Sequence, residues 1–138
     1  MKLFCYGTLM GEALQRGGRP ARIYGRLWDN GLYPAARRGK PGGPMVAGVV
    51  FEVTAEDLAL FDAREGASGN WYRRVKVGTV EGELAWMYEA ARCLTDAHGP
   101  RSDWRRVLPD EHGVASWDHE RPYWRGRGKR LPDEADAV

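Results

Sequence analysis

Only two cysteines occur in the 138 residues, Cys5 and Cys93. Two thiols are too few for the disulfide framework of a small secreted domain, and both are read as buried, reduced side chains. Cys5 precedes Tyr6 inside an apolar segment, whereas a reactive thiol is expected in an exposed position at a helix start beside a base. Long apolar runs are also missing. None approaches the roughly 20 residues that cross a bilayer, so no membrane association is expected. The opening MKLFCYGTL lacks the extended apolar core and small-residue cleavage site of an export signal, which makes the expected location cytoplasmic. There is no P-loop, dinucleotide-binding glycine fingerprint, zinc-spaced cysteine pair or nucleophile elbow. His98, His112 and His119 show no ligand spacing, so no metal is expected.

Charge of one sign is nearly absent overall, with 21 basic against 19 acidic residues, but it is unevenly placed. Residues 1–40 carry eight basic residues and two acidic ones, Glu12 and Asp29. Such a front suits an anionic metabolite or a nucleic acid, but solvated arginines on strand faces are the better account of it. The run Tyr123-Trp124-Arg125-Gly126-Arg127 has the aromatic and basic residues to stack bases and meet phosphates. The acidic residues adjoining it count against that use, and a nucleic-acid partner is not expected.

The chain length fits one core, with residues 1–120 as a single domain and 121–138 as a charged tail of the composition found in mobile termini. Residues 2–6 read as a buried strand running into a turn at Gly7-Thr8. Residues 22–28 alternate with period two, as a strand with one covered face does. The glycines and prolines of 39–44 mark a loop before an apolar strand, 45–53. Thr54 is placed to cap a helix over 55–65, whose apolar stripe is Leu58, Leu60 and Phe61 and whose end falls near Gly66. Residues 71–77 and 83–90 form a hairpin around a turn at 78–82. A helical turn is the reading for 102–108. Strands outnumber helices, which favours an α+β fold: a small mixed sheet, barrel-like, with helices packed outside.

Four segments, in this order, resemble the gamma-glutamylcyclotransferase-like family. Tyr6-Gly7-Thr8-Leu9 looks like its YG[ST]L turn, and Gly25-x-Leu27 through Gly31-Leu32-Tyr33-Pro34-Ala35 like its G-x-L and tyrosine-proline step. Gly48 to Val53 resembles its third strand. Phe61-Asp62-Ala63-Arg64-Glu65-Gly66 followed by Tyr72-Arg73-Arg74 resembles LDxxEG and YxR. Tyr88 falls where the family often has a strand-ending tyrosine, and Asp103-Trp104 echoes a terminal DW. The resemblance covers residues 2–108. Phe61 departs from the usual leucine, and the loop Gly66 to Trp71 and the tail have no counterpart.

What the resemblance implies is a small-molecule gamma-glutamyl substrate whose own α-amino nitrogen attacks its γ-carbonyl, giving 5-oxoproline and a free amine or amino acid. No cofactor is implied. Glu65 would move the protons. By its sequence position alone it is a solvated glutamate at a helix end; the resemblance makes it catalytic, with burial raising its pKa. Tyr6, Gly7, Thr8 and Leu9 would hold the substrate carboxylate or the oxyanion with backbone N–H groups, and Tyr88 would hydrogen-bond substrate from the barrel mouth. Tyr33-Pro34 and Tyr72-x-Arg74 read as structural, with Arg74 clamping a carboxylate near the helix. A non-catalytic binding module of the same fold stays open beside the enzyme.

Overall fold

The computed structural model describes residues 1–30, 33–65, 72–91, 95–96, 99–100 and 104–118. Several features read above lie outside these residues: Gly31-Leu32, Gly66 to Trp71, Cys93, His98, Asp103, His119 and the tail 121–138. The described elements, in chain order, are β1 (Lys2–Cys5), α1 (Met10–Gln15), β2 (Arg19–Asp29), β3 (Pro34–Arg38), β4 (Met45–Glu52) and α2 (Ala55–Arg64). They continue with β5 (Tyr72–Gly78), β6 (Leu84–Ala90), β7 (Thr95–Asp96), β8 (Gly99–Pro100), β9 (Arg105–Val107) and β10 (Val114–Ala115).

The main sheet runs β3-β2-β4-β1-β6-β5, with β9 on β2 and β10 on β4. β1 lies at its centre, antiparallel to β4 and parallel to β6, so that both of its edges are paired, and Leu3 to Cys5 are buried. Leu3 and Phe4 are accordingly fully buried. Burying such side chains stabilises by roughly 1.5–3 kcal/mol each, so the strand read from KLFC is the hub of the core.

β2 exchanges partners along its length: Arg19–Tyr24 pair with β4 and Gly25–Asp29 with β3. The exchange falls at Gly25, where a Cβ would meet the Arg37 carbonyl oxygen at 2.3 Å. Only glycine allows the two strands to approach there. Ala21, Ile23, Gly25 and Leu27 point inward while Arg22 and Arg26 face solvent, the alternation expected of a half-covered strand. Beyond Leu27 both faces are covered, because Trp28 packs with Ala35, Ala90 and Trp104 in a second small cluster.

Among the described residues no backbone ladder joins β3 to β6; side chains close that gap. The Tyr6 hydroxyl donates to the Tyr88 carbonyl of β6 (2.6 Å) and accepts from the Ala36 N–H of β3 (3.1 Å). The buried Glu89 carboxylate accepts from the Arg38 backbone N–H (3.0 Å), from Arg38 Nε (2.8 Å) and from Arg73 Nη2 (3.0 Å). The result is a nearly closed, barrel-like mixed sheet with two helices against it, the α+β architecture expected.

α2 starts on a reciprocal cap: Asp57 N–H donates to Thr54 Oγ1 (3.0 Å) and Thr54 N–H to Asp57 Oδ2 (2.9 Å). Arg16 fastens the same carboxylate at 2.7 Å. Leu58 and Phe61 face the core, and Phe61 meets Phe51 edge-on at 6.2 Å. Leu60, read as part of the apolar stripe, instead points to solvent at 66% exposure, because only the i, i+3 spacing of Leu58 and Phe61 lies on one face.

One further reading is corrected. Residues 102–108 do not form a helical turn where they are described; Arg105–Val107 extend the sheet, pairing antiparallel with Leu27–Asp29. Pro34, read with Tyr33 as structural, opens an edge strand, β3, where a proline's missing N–H costs no ladder bond. MGEALQ, for which no element was read, forms α1 against β4.

Burial alone would raise the Glu89 pKa, but the hydrogen bonds from Arg38 and Arg73 outweigh it and hold it below the ordinary value. A carboxylate whose folded pKa is depressed contributes stability above its unfolded value, and that contribution is lost as pH falls through the folded one. Glu89→Gln is therefore expected to lower the urea midpoint at pH 7. The gap from wild type should narrow below about pH 4.3, as the native carboxylate is protonated too. Parallel denaturation curves at pH 7 and pH 3 check both expectations.

Candidate active site

Between the C-terminal end of β1, the end of α2 and the start of β3 lies a cavity of about 370 Å³, within the size range of small-molecule sites. β1 and the turn after it supply Phe4 through Leu9; α2 supplies Arg64 and Glu65. Tyr72, Tyr88, Asn30, Tyr33, Pro34 and Trp104 complete the lining. All six residues picked out from the sequence, Tyr6, Gly7, Thr8, Leu9, Glu65 and Tyr88, line this one space.

The turn owes its shape to two contacts. Met10 N–H donates to the Gly7 carbonyl (3.0 Å) and Ala13 N–H to that of Leu9 (2.9 Å), which runs the turn directly into α1. A Cβ on Gly7 would lie 2.6 Å from Pro34 Cγ, so the bare glycine admits the proline ring. The tyrosine-proline step and the N-terminal turn, distant in sequence, are thereby packed against each other.

Glu65 is the C-cap of α2, its N–H donating to the Phe61 carbonyl at 2.8 Å. Its side chain is half-buried, and among the described residues none donates a hydrogen bond to its carboxylate or pairs with it. Burial pushes its pKa above the ordinary value of 4.5, while the neighbouring Arg64 guanidinium pulls the other way. The carbonyl end of α2 adds to the cost of a negative charge there.

The tyrosine hydroxyls are held by protein. That of Tyr6 bridges β3 and β6, as described above. That of Tyr72 donates to the Pro34 carbonyl at 2.7 Å. That of Tyr88 donates to Asp62 Oδ1 at 2.7 Å, with the Leu58 carbonyl at 3.3 Å. Burial, reinforced by Asp62, pushes the Tyr88 pKa well up, so the phenol stays protonated. Asp62 also lies 3.0 Å from Arg74 Nε. The Arg74 Nε–H has no hydrogen-bonded acceptor, so this contact is an ion pair by proximity rather than an aligned bond. This is the carboxylate that Arg74 was expected to clamp.

Cys5 also lines the cavity, but its thiol donates to the Val49 carbonyl at 3.4 Å. Burial, with a smaller push from Glu65, raises its pKa to about 12. It is not a nucleophile at neutral pH.

The sequence reading passed over Asp62 and Arg64 as site residues. Both stand inside the quoted segment Phe61 to Gly66, and the i, i+3 spacing of Asp62 and Glu65 was the signal that they share a helix face. Asn30 had no local signal; its Oδ1 accepts from the Tyr33 N–H at 2.8 Å.

The nearly closed mixed barrel is a fold that known proteins share. The family described as gamma-glutamyl cyclotransferase, AIG2-like, matches residues 3–106, and the chain belongs to that family. Among solved structures, a uropathogenic E. coli-specific protein is 22% identical over 82% of this chain and 90% of its own, with a TM-score of 0.59. An uncharacterised protein from Pyrococcus horikoshii is 22% identical over 100% and 99%, with a TM-score of 0.54. At that identity the likeness is one of fold. No curated protein matches the sequence. Among the described residues no helix is long and apolar enough to cross a membrane.

Tyr6→Phe is expected to destabilise by about 1–3 kcal/mol, because the buried Ala36 N–H and Tyr88 carbonyl each lose their partner. Urea denaturation with an unchanged slope would attribute the loss to the folded state.

Proposed function

We propose that this chain is a cofactor-independent gamma-glutamyl cyclotransferase that converts a gamma-glutamyl amide into 5-oxoproline and a free amine or amino acid. The observation that carries this reading is the half-buried, unpartnered Glu65 carboxylate on the same cavity as the Tyr6–Leu9 turn. Structural glutamates in this protein, such as Glu89, are saturated with donors. One held without any is available to exchange a proton with a ligand.

The substrate's glutamyl part lies against the turn, whose backbone N–H groups hold its α-carboxylate or the oxyanion that develops on the γ-carbonyl. Tyr6 and Tyr88 act through their rings and through the elements they tie, since their hydroxyls are engaged by protein. Ionised Glu65 takes a proton from the α-ammonium. The freed nitrogen attacks the γ-carbon, closing a five-membered ring, and the tetrahedral intermediate collapses as the old C–N bond breaks. The proton held by Glu65 passes to the leaving nitrogen, and the ring nitrogen gives up its second proton through the restored carboxylate to the departing amine, so that both protons lost by the α-ammonium end on the released amine. Because the nucleophile is tethered, a well-oriented attack reaches effective molarities of roughly 10⁵ M or more. The chain's tasks are then to fold the substrate and to relay these protons.

With purified protein and a panel of gamma-glutamyl amino acids and amines, 5-oxoproline release is expected from wild type. Glu65→Gln should reduce it by at least about 100-fold, the scale of acid–base catalysis. On the acidic side kcat/KM should rise with pH through an inflection above 4.5, where the buried carboxylate ionises. A carboxylate with a raised folded pKa favours folding below its unfolded value, and that contribution is lost as pH rises through the folded one. Glu65→Gln should therefore be at least as stable as wild type at pH 8. A folded wild type that releases no 5-oxoproline from any substrate in the panel would leave a binding module of this fold as the better account.

A further inference from the structure

We infer that Arg64 is the specificity residue of this cavity, reading a carboxylate on the leaving group, so that the preferred substrates are gamma-glutamyl amino acids rather than gamma-glutamyl amines. The inference rests on the reading of the site just given and adds the class of leaving group to it.

Arg64 is the one cation among the described residues that line the cavity, and Glu65 the one carboxylate. A gamma-glutamyl amino acid brings a second carboxylate, on its leaving group, to meet this guanidinium, and a gamma-glutamyl amine brings none.

Position then decides which carboxylate meets the arginine. Tyr6 and Leu9 of the turn are buried, whereas Arg64 belongs to the lining and its side chain is 57% exposed, which puts this residue on the solvent side, the rim, of the cavity. A glutamyl group seated against the turn with its γ-carbon near Glu65 directs its leaving group outward, toward that rim.

The guanidinium is held but not saturated. It lies over the Phe61 ring at 5.7 Å, and Nη1 is 3.5 Å from Glu12 Oε1. That pair is loose and shared, because Glu12 also faces Arg16 at 3.6 Å. A guanidinium has five N–H donors in a planar fork, so one edge stays on Glu12 while another is offered to a ligand carboxylate.

The test compares gamma-glutamyl-alanine with gamma-glutamyl-ethylamine, which differ by one carboxylate. For wild type the first is expected to have a kcat/KM about tenfold higher, the modest size of a charged hydrogen bond at a wet rim. In Arg64→Gln the ratio should collapse toward one, and Arg64→Lys should keep part of it. Removing the arginine also shifts Glu65, but that effect is common to both substrates and cancels in the ratio. Equal turnover of both by wild type, or a ratio unmoved in Arg64→Gln, overturns the inference and leaves the reaction class standing. If neither ligand yields 5-oxoproline, the proposed reaction falls instead. Calorimetric titration of the same two ligands into Glu65→Gln and into Glu65→Gln/Arg64→Gln then decides the present point. A Kd preference for gamma-glutamyl-alanine that only the double variant loses upholds it; equal binding of both ligands, or no binding of either, overturns it.

Discussion

The Tyr6 hydroxyl holds together what the backbone leaves apart. β3 and β6 face each other across the open side of the sheet, and one phenol at the end of β1 donates to one of them and accepts from the other. The same residue begins the turn that walls the cavity. Closure of the barrel and placement of the turn are thus a single event: the turn cannot drift without breaking two buried hydrogen bonds. Gly7 adds to this by letting Pro34, the first residue of β3, sit against the turn.

Two buried glutamates show how partners, rather than burial, set the state of a carboxylate. Glu89 is almost fully enclosed, yet Arg38 and Arg73 donate to it and its pKa is lowered. Glu65 is less enclosed and receives no such bonds, and its pKa is raised. Desolvation acts on both in the same direction, and donors reverse it at only one. Glu89 contributes to the closure of the barrel; Glu65 is left without donors on the wall of the cavity.

Much of this was legible in the chain before folding. Alternation in β2, the dense apolar run of β4 and the Thr54-to-Asp57 cap are local patterns, and each element appeared where its pattern lay. The cavity residues could be gathered because the resemblance supplied a common framework for segments that share no local signal. What escaped the reading was whatever depended on a distant partner. Residues 105–107 are a strand only because the edge of β2 is there to pair with. Pro34–Arg38 is a strand because β2 bends at Gly25 to meet it. Leu60 looked like core because an apolar residue beside two others cannot be distinguished from them until one helix face is chosen. Arg64 carried no reading of its own, and its place on the cavity follows from how α2 docks.

The docking of α2 has a consequence for the order of Glu65, the residue that caps it. Arg16 and the Thr54 cap fasten the first turn, while Tyr88 and Arg74 grip Asp62 one turn before the end. A glutamate on a frayed helix terminus would sample many backbone positions and lose that freedom whenever a ligand arrived. Here those contacts hold the helix backbone before any substrate arrives, and the side-chain torsions of Glu65 are what remains to be ordered. The binding free energy of a substrate is then not consumed in ordering the residue it meets.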